Sequence, residues 1–465
     1  MVKKLNMYKI YNISNGDLSK ESFTEEELLE REITLSENNL IRKYLKFKGI
    51  KTGDMHLDNI IKVALRYESK DKENEKAMEL LKNGITFRCQ KFIQLLSSPT
   101  MMKKEGQDDF YNEDFRCEYL FIAEEDKEFI KTFEGITSLG KLIEKYDKEE
   151  LAINKDVISR LSLNTSSSYE IDYSPNIVVL PSTTYTYVSN YCYFKDGDYS
   201  KLEYQENVKK EHEFQDGCGL MSPKMAKIIQ KQLQVNYPID WVGIRMDKGL
   251  AVKGLLVKVD FNKYFKEKYV ENTPYFEKRE DGFYTLDFWK NWVNISNADI
   301  IINTNMAKWA KWWETEEELY TELKKEKYDK YRYILTNLYV TKFNKKYPKE
   351  YSRTNYQLIS NLALTPKELE SLSEETYDMY QKALSLDIDY VRLLLGDIVD
   401  EENEELNVID KVHYLLQSTE DALTLPSVRK VVISMVNKKI KELSAGKFYV
   451  KGNYKVASTC PITFM

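Results

Sequence analysis

The chain has 465 residues, 42% of them hydrophobic and 31% charged, with a formal net charge of -6. That is enough apolar material for real cores, and the length corresponds to about three domains of ordinary size, so a disordered chain is excluded. The acidic total argues against charge-driven wrapping of nucleic acid, although local basic patches stay open.

The start, Met1-Val2-Lys3-Lys4-Leu5-Asn6, has no apolar stretch behind its lysines, and no run of about 18 apolar residues occurs. A cytoplasmic protein with no membrane partner is expected. The five cysteines, Cys89, Cys117, Cys192, Cys218 and Cys460, are scattered and form no CxxC pair. They are expected to be reduced, buried thiols, with neither a zinc knuckle nor a disulfide scaffold. Only His56, His212 and His413 are available for a triad or a histidine metal centre, and none has a partner at ligand spacing. Hydrolase and metalloprotease chemistry therefore drops out. His413, within Val412-His413-Tyr414-Leu415-Leu416, reads as a packed histidine.

In chain order, residues 1–150 mix helix-like segments such as Glu25 to Arg31 with strand-like ones such as Leu120-Phe121-Ile122, and form a mixed α/β domain. A polar connection follows and ends at Asn164-Thr165-Ser166-Ser167-Ser168. Residues 170–312 are β-rich. Ile177-Val178-Val179-Leu180 is a short apolar run, Thr184-Tyr185-Thr186-Tyr187-Val188 alternates with period two, and Leu255 to Val259 is a further strand. A helix over Pro223 to Leu233 interrupts them. Residues 314–445 read as helical, with Thr365-Pro366-Lys367-Glu368 as a helix start that closes a capping box. Residues 446–465 return to strand character around Gly452-Asn453. The apolar Cys460-Pro461-Ile462-Thr463-Phe464-Met465 reads as a strand entering a further domain, truncated or missing here.

The most informative stretch is Asp216-Gly217-Cys218-Gly219-Leu220-Met221-Ser222-Pro223, followed by a helix, then Gly243-Ile244-Arg245 and Val252-Lys253-Gly254-Leu255. Two glycines in four residues permit a tight turn that approaches backbone or phosphate closely. Ser222 is placed to cap the helix that begins at Pro223. Arg245 and Lys253 would project from neighbouring strands, where fixed cations suit phosphate. Taken alone, the same pattern also fits a purely structural turn.

The order DGxGxxS, helix, I-R, KG resembles the first double-psi β-barrel of the two-barrel RNA polymerases. These are the RNA-silencing polymerases and the single-chain, YonO-like phage enzymes. Further similar segments follow in order: Ile300 to Lys308, Asn355-Tyr356-Gln357 with Leu364-Thr365, and Gly446 to Tyr454. Ser97 to Lys104 is similar to an N-terminal element of the phage enzymes. The resemblance implies an α+β fold, with a double-psi β-barrel and its helical insertions between the mixed N-terminal domain and a helical connector. It implies template-directed nucleotidyl transfer from NTP to RNA. Lys253 and Lys308 would face phosphates, Arg245 would help, and Asp216, Gly217, Gly219, Ser222 and Gly254 would shape the motif. At Asn305 the sequence departs from the serine usual in the family.

The metal loop of that family, D-x-D-G-D, is absent. Phe194-Lys195-Asp196-Gly197-Asp198 comes nearest, but it lacks the first aspartate and precedes the DGxG motif, so it reads as a hairpin turn. No metal site is therefore assigned, and Mg²⁺ is expected only with a second barrel on a protein partner or a C-terminal half. The chain alone is expected to be inactive. Template nucleic acid, DNA rather than RNA on the phage resemblance, and NTPs are the implied partners. A non-catalytic nucleic-acid-binding or scaffolding protein is the other reading. Between Lys324 and Arg353, basic residues including Lys342, Lys345, Lys346 and Arg353 alternate with aromatics such as Tyr328, Tyr331 and Tyr333. That pattern fits a nucleic-acid surface, or a solvated helix with aromatic packing behind it.

Overall fold

The computed structural model describes residues 4–13, 35–36, 39–50, 56–67, 80–97, 115–141, 168–195, 200–213, 216–268, 274–346, 350–395, 408–453 and 455. The fold is α+β, and the chain divides into two compact units. One holds Met1–Glu105, Glu113–Lys346 and Ala457–Met465; the other holds Gly106–Asn112 and Tyr347–Val456. The helix expected over Glu25 to Arg31, most of Ser97 to Lys104, Asp196 to Asp198 and Cys460 to Met465 lie outside the described residues.

The first unit begins with a six-stranded sheet made of β1 (Lys4–Ile13), β2 (Leu35–Ser36), β3 (His56–Tyr67), β4 (Ile85–Phe87), β5 (Gln90–Leu96) and β6 (Phe115–Ala123), in the order β2-β1-β3-β6-β5-β4. Helices α1 (Leu40–Phe47) and α2 (Lys127–Thr137) belong to the same region. Asn39 caps α1 by accepting a hydrogen bond from the Ile41 backbone N–H. The apolar face of α1 (Leu40, Ile41, Tyr44, Leu45) joins Leu57, Ile60, Leu120, Ile122 and Phe133 in one core, with Tyr44 edge-on to Phe133 at 5.1 Å.

The same core runs on into a seven-stranded sheet. Its strands are β7 (Tyr169–Ile171), β8 (Ile177–Leu180), β11 (Cys218–Met221), β12 (Trp241–Met246), β13 (Val252–Lys258), β17 (Ile300–Asn303) and β18 (Leu338–Phe343), in the order β7-β18-β12-β13-β11-β17-β8. Two parallel pairs, β8 with β17 and β11 with β13, meet through the antiparallel pairing of β11 and β17. β8, β11 and β17 are short, and all their residues are buried, as strands covered on both faces require. Strand β18 departs from the helical character expected throughout 314–445. Leu338, Tyr339 and Val340 are buried β-formers inside a lysine- and tyrosine-rich stretch, and pairing with β12 overrides the local composition.

Helices α3 (Pro223–Gln232) and α4 (Phe261–Lys268) leave this sheet, and a small antiparallel sheet of β14 (Phe276–Arg279), β15 (Gly282–Leu286) and β16 (Trp292–Asn294) follows. Strands β9 (Thr184–Phe194) and β10 (Leu202–Glu213) form a two-stranded ribbon of their own. Beyond β17, Trp309, Trp312 and Trp313 are core residues, and Trp309 stacks on Trp312 at 4.9 Å.

The second unit contains β19 (Tyr351–Arg353) paired with β20 (Tyr449–Lys451). Its helices include Pro366–Leu384, Ile388–Leu395, Val408–Ser418 and Pro426–Ser444, gathered on Tyr380, Val391, Leu416, Val432 and Val436. Thr365 and Glu368 form the capping box expected of that helix start. His413 is buried beside Gln417, as a packed histidine should be. The thiols differ from expectation. Cys218 is buried and free, but Cys89 and Cys192 are exposed, because they sit on a tight turn and on the ribbon rather than in a core. Among the described residues, no helix is long and apolar enough to cross a membrane.

Candidate functional site

The candidate site is built where β11, β13 and the segment after β17 crowd together. Gly217 turns the chain at φ +69°, and its carbonyl accepts a hydrogen bond from the Leu255 N–H at 2.8 Å. The DGxG turn is thereby seated on the KG strand. Gly219 and Gly254 are glycines because of what lies against them. A Cβ at Gly254 would sit 2.4 Å from Met306 Cε and 2.7 Å from the Gly217 carbonyl oxygen, and one at Gly219 would sit 2.9 Å from Met306 Sδ. Met306 is thus a buried wedge between the two glycine-bearing strands. Ser222 accepts a hydrogen bond from the Met225 N–H at 3.1 Å, so it caps α3. Asp216 is exposed at the mouth of the turn.

Asn303 shapes the next turn. Its side-chain oxygen and its carbonyl both accept the Met306 N–H at 3.0 Å, and its carbonyl also accepts the Ala307 N–H. The turn lies back on β13, with the Lys253 N–H donating to the Met306 carbonyl at 3.2 Å and Val252 bridging Ala307. Lys253 and Lys308 therefore emerge from adjoining backbone. Partial burial, and then the charges of Lys308 and Arg245, hold the Lys253 pKa below the ordinary lysine value, although the residue opens to solvent. Lys308 is half-buried and donates to Asn305 Oδ1 at 3.2 Å; Asn305 in turn donates to Glu213 at the foot of the ribbon. Sequence reasoning passed over Asn303 and Met306 as site-forming residues. The glycines at 219 and 254 were the available signal that a bulky side chain enters between strands.

Arg245 lies directly across from Lys253 in the β12–β13 register, but it is only 2% exposed. Its guanidinium donates to Ser168 Oγ at 2.9 Å and lies 5.1 Å from the Tyr339 ring centroid, and burial lowers its pKa to about 10. Asp247 is also buried, and among the described residues its Oδ2 has no hydrogen-bond partner. Burial raises its pKa to about 7, with the Arg245 charge pulling the other way. An unfolded aspartate keeps the ordinary value near 3.8. Between those values the folded state holds the extra proton, so this stabilisation is full below about pH 4 and lost as pH rises through about 7. Denaturation at pH 5 and pH 8 should show a loss on the order of 2–4 kcal/mol, and Asp247→Asn should flatten that slope. An equal slope in both proteins would show that Asp247 does not set it.

The basic residues expected at a nucleic-acid surface fall in both units. Lys342 is exposed on β18, not on a helix, and Lys345 and Lys346 are exposed just beyond it. Arg353 belongs to the second unit, where it donates to Glu442 at 2.7 Å. Tyr328 and Tyr331 are buried, and Lys327 pairs with Glu322, so those two rings serve packing, whereas Tyr333 is 45% exposed.

The carboxylates beside the lysine site do not make a cation cradle. Glu213 is engaged by Asn305, Asp216 stands at the turn, and the converging charges are cationic. Among the described residues, no three His, Cys, Asp or Glu side chains gather as metal ligands. The described residues around the lysine site do not fit Mg²⁺.

No curated protein matches the chain. A solved structure of the RNA dependent RNA polymerase QDE-1 from Thielavia terrestris is similar at 11% identity and a TM-score of 0.40; the match covers 96% of this chain and 42% of that one. The chain thus spans less than half the length of that polymerase. The family model described as RNA dependent RNA polymerase matches residues 27–453, nearly the whole sequence. The chain belongs to the RNA dependent RNA polymerase family.

Proposed function

We propose that this chain carries the phosphate-binding half of a template-directed RNA polymerase, with Lys253 and Lys308 as the groups that meet NTP and the RNA end. The observation that carries the reading is the juxtaposition of these two lysines on adjoining backbone, held by the Met306 wedge. Like charges placed together raise each other's energy, and a polyanion relieves that cost. Phosphoryl transfer develops charge on phosphate oxygens, and cations fixed on a strand answer it without reorganising. Arg245 acts here as a positioning residue, adding field behind Lys253 from its buried place across the strand pair.

In this reading the seven-stranded sheet is the first double-psi β-barrel. Its two parallel pairs, joined back to back, support that topology. The Mg²⁺-binding aspartates belong to a second barrel outside these 465 residues, on a partner or a further part of the polymerase. The sites at Lys253 and Lys308 read phosphate, which RNA and DNA share. The family description names RNA as template, while the YonO-like resemblance implies DNA. Extension assays on matched RNA and DNA templates assign it.

Pyridoxal 5′-phosphate, followed by borohydride reduction of the imine it forms with the amine, marks lysines that bind phosphate. Peptide mapping should find Lys253 and Lys308 labelled and protected by excess NTP. Lys308→Met should move the pH profile of Lys253 labelling upward, because a neighbouring cation no longer opposes protonation. Labelling scattered over surface lysines and indifferent to NTP would leave the non-catalytic scaffold reading in its place.

A further inference from the structure

The β9–β10 ribbon is unaccounted for by the lysine site, yet it is rooted there. Ser182, just before β9, shares a 2.8 Å hydrogen bond with Thr304, and Glu213, the last residue of β10, accepts from Asn305. From that foot the two strands pair over ten positions and, among the described residues, with no other strand. Such a ribbon buries little of its own and needs a reason to carry large apolar side chains.

Residues directly opposite in an antiparallel pair share a face. One face therefore holds Tyr185, Tyr187, Tyr191 and Tyr193, opposite His212, Lys210, Gln205 and Glu203. These tyrosines are organised before any partner arrives. Tyr187 and Tyr191 share a hydroxyl–hydroxyl hydrogen bond, Tyr187 bonds His212 Nε2 at 3.0 Å, and Tyr193 donates to Glu203. Lys210 Nζ lies 3.4 Å from the Tyr191 ring centroid. Tyr185 and Tyr193 are nonetheless 43% and 39% exposed. The faces differ in the balance of charge: Lys210 and Lys195 outnumber Glu203, with which Lys195 pairs, on the tyrosine side, whereas Glu211 and Glu213 outnumber Lys209 on the other.

We propose that the tyrosine face of this ribbon holds a single-stranded segment of nucleic acid running to or from the lysine site. The proposal rests on the polymerase reading and adds a second contact surface to it. Rings at 185 and 187, and again at 191 and 193, stand about 6.8 Å apart along one strand, with Ser189 between the two pairs, and give bases flat apolar platforms. Lys210 on the same face meets phosphate, and the net acidic face turns the strand away from the wrong side.

The test is fluorescence anisotropy of the full chain with a labelled single-stranded RNA. The double variant Tyr185→Ser, Tyr193→Ser should bind at least about tenfold more weakly. Lys210→Gln should lower the salt slope by about one. Val188→Ser, on the opposite face, should bind as the parent does, and thermal unfolding should be unchanged in all three. NTP-protected labelling of Lys253 by pyridoxal phosphate, read in the same variants, should persist. Affinity within twofold of the parent for the tyrosine variant, or equal weakening by Val188→Ser, overturns the ribbon proposal. Parent protein that binds RNA but lacks NTP-protected labelling at Lys253 overturns the polymerase reading instead, so the two failures are distinct.

Discussion

Gly254→Ala should lower the stability of the first unit by about 2–3 kcal/mol in denaturant unfolding and take the lysine site with it. The new methyl would meet Met306 Cε at 2.4 Å, Met306 Cγ at 3.0 Å and the Gly217 carbonyl oxygen at 2.7 Å. The methionine is the softer obstacle, but it is fully buried, and its sulfur already fills the space beside Gly219. The carbonyl is backbone, fixed by its 2.8 Å hydrogen bond from the Leu255 N–H. Relief for the methyl therefore means parting β11 from β13 or displacing Met306 from the turn that sets Lys308. Adding Met306→Ala should not restore the parent's stability, because the carbonyl clash remains and a buried side chain is lost. A Gly254→Ala protein within about 0.5 kcal/mol of the parent would show that the wedge has room that the packing does not suggest.

Lys253→Met should cut NTP-dependent RNA synthesis by the assembled polymerase about 10²–10³-fold while leaving unfolding unchanged. Methionine replaces the exposed stem with little strain, so the loss isolates the charge. Lys253→Arg keeps the charge but changes its reach and shape, and it should fall between parent and Met. Because Lys308 and Arg245 depress the Lys253 pKa, the rate carried by the protonated amine should decline at a lower pH than an ordinary lysine would impose. An undiminished rate in Lys253→Met would leave this lysine as a surface charge, and the phosphate role would pass to Lys308 or fail.

Local grammar was readable wherever a short stretch decides its own conformation. The period-two run at 184–188, the apolar Ile177 to Leu180, the Ser222–Pro223 helix start and the Thr365–Glu368 capping box each became the element their residues specify. Propensity, capping and alternation act over a few residues, so linear sequence contains them. The adjacency of DGxG, KG and the Asn303 to Lys308 segment in candidate function was likewise legible, but only through resemblance. No spacing within the chain says that residue 253 meets residue 306.

Tertiary structure decided the rest. Whether Arg245 reaches a ligand depends on which side of β12 is covered, and Ser168 and Tyr339 from distant parts of the chain cover it. The fate of Tyr328 and Tyr331 was settled in the same way, since burial depends on packing partners that a basic and aromatic pattern does not name. β18 became a strand because β12 and β7 offered open edges at the right place. By itself the sequence determined the locally specified elements, the glycine-permitted turns and the family. Long-range packing alone decided which charges face outward and which are buried, because desolvation is a property of the assembled neighbourhood and not of the residue.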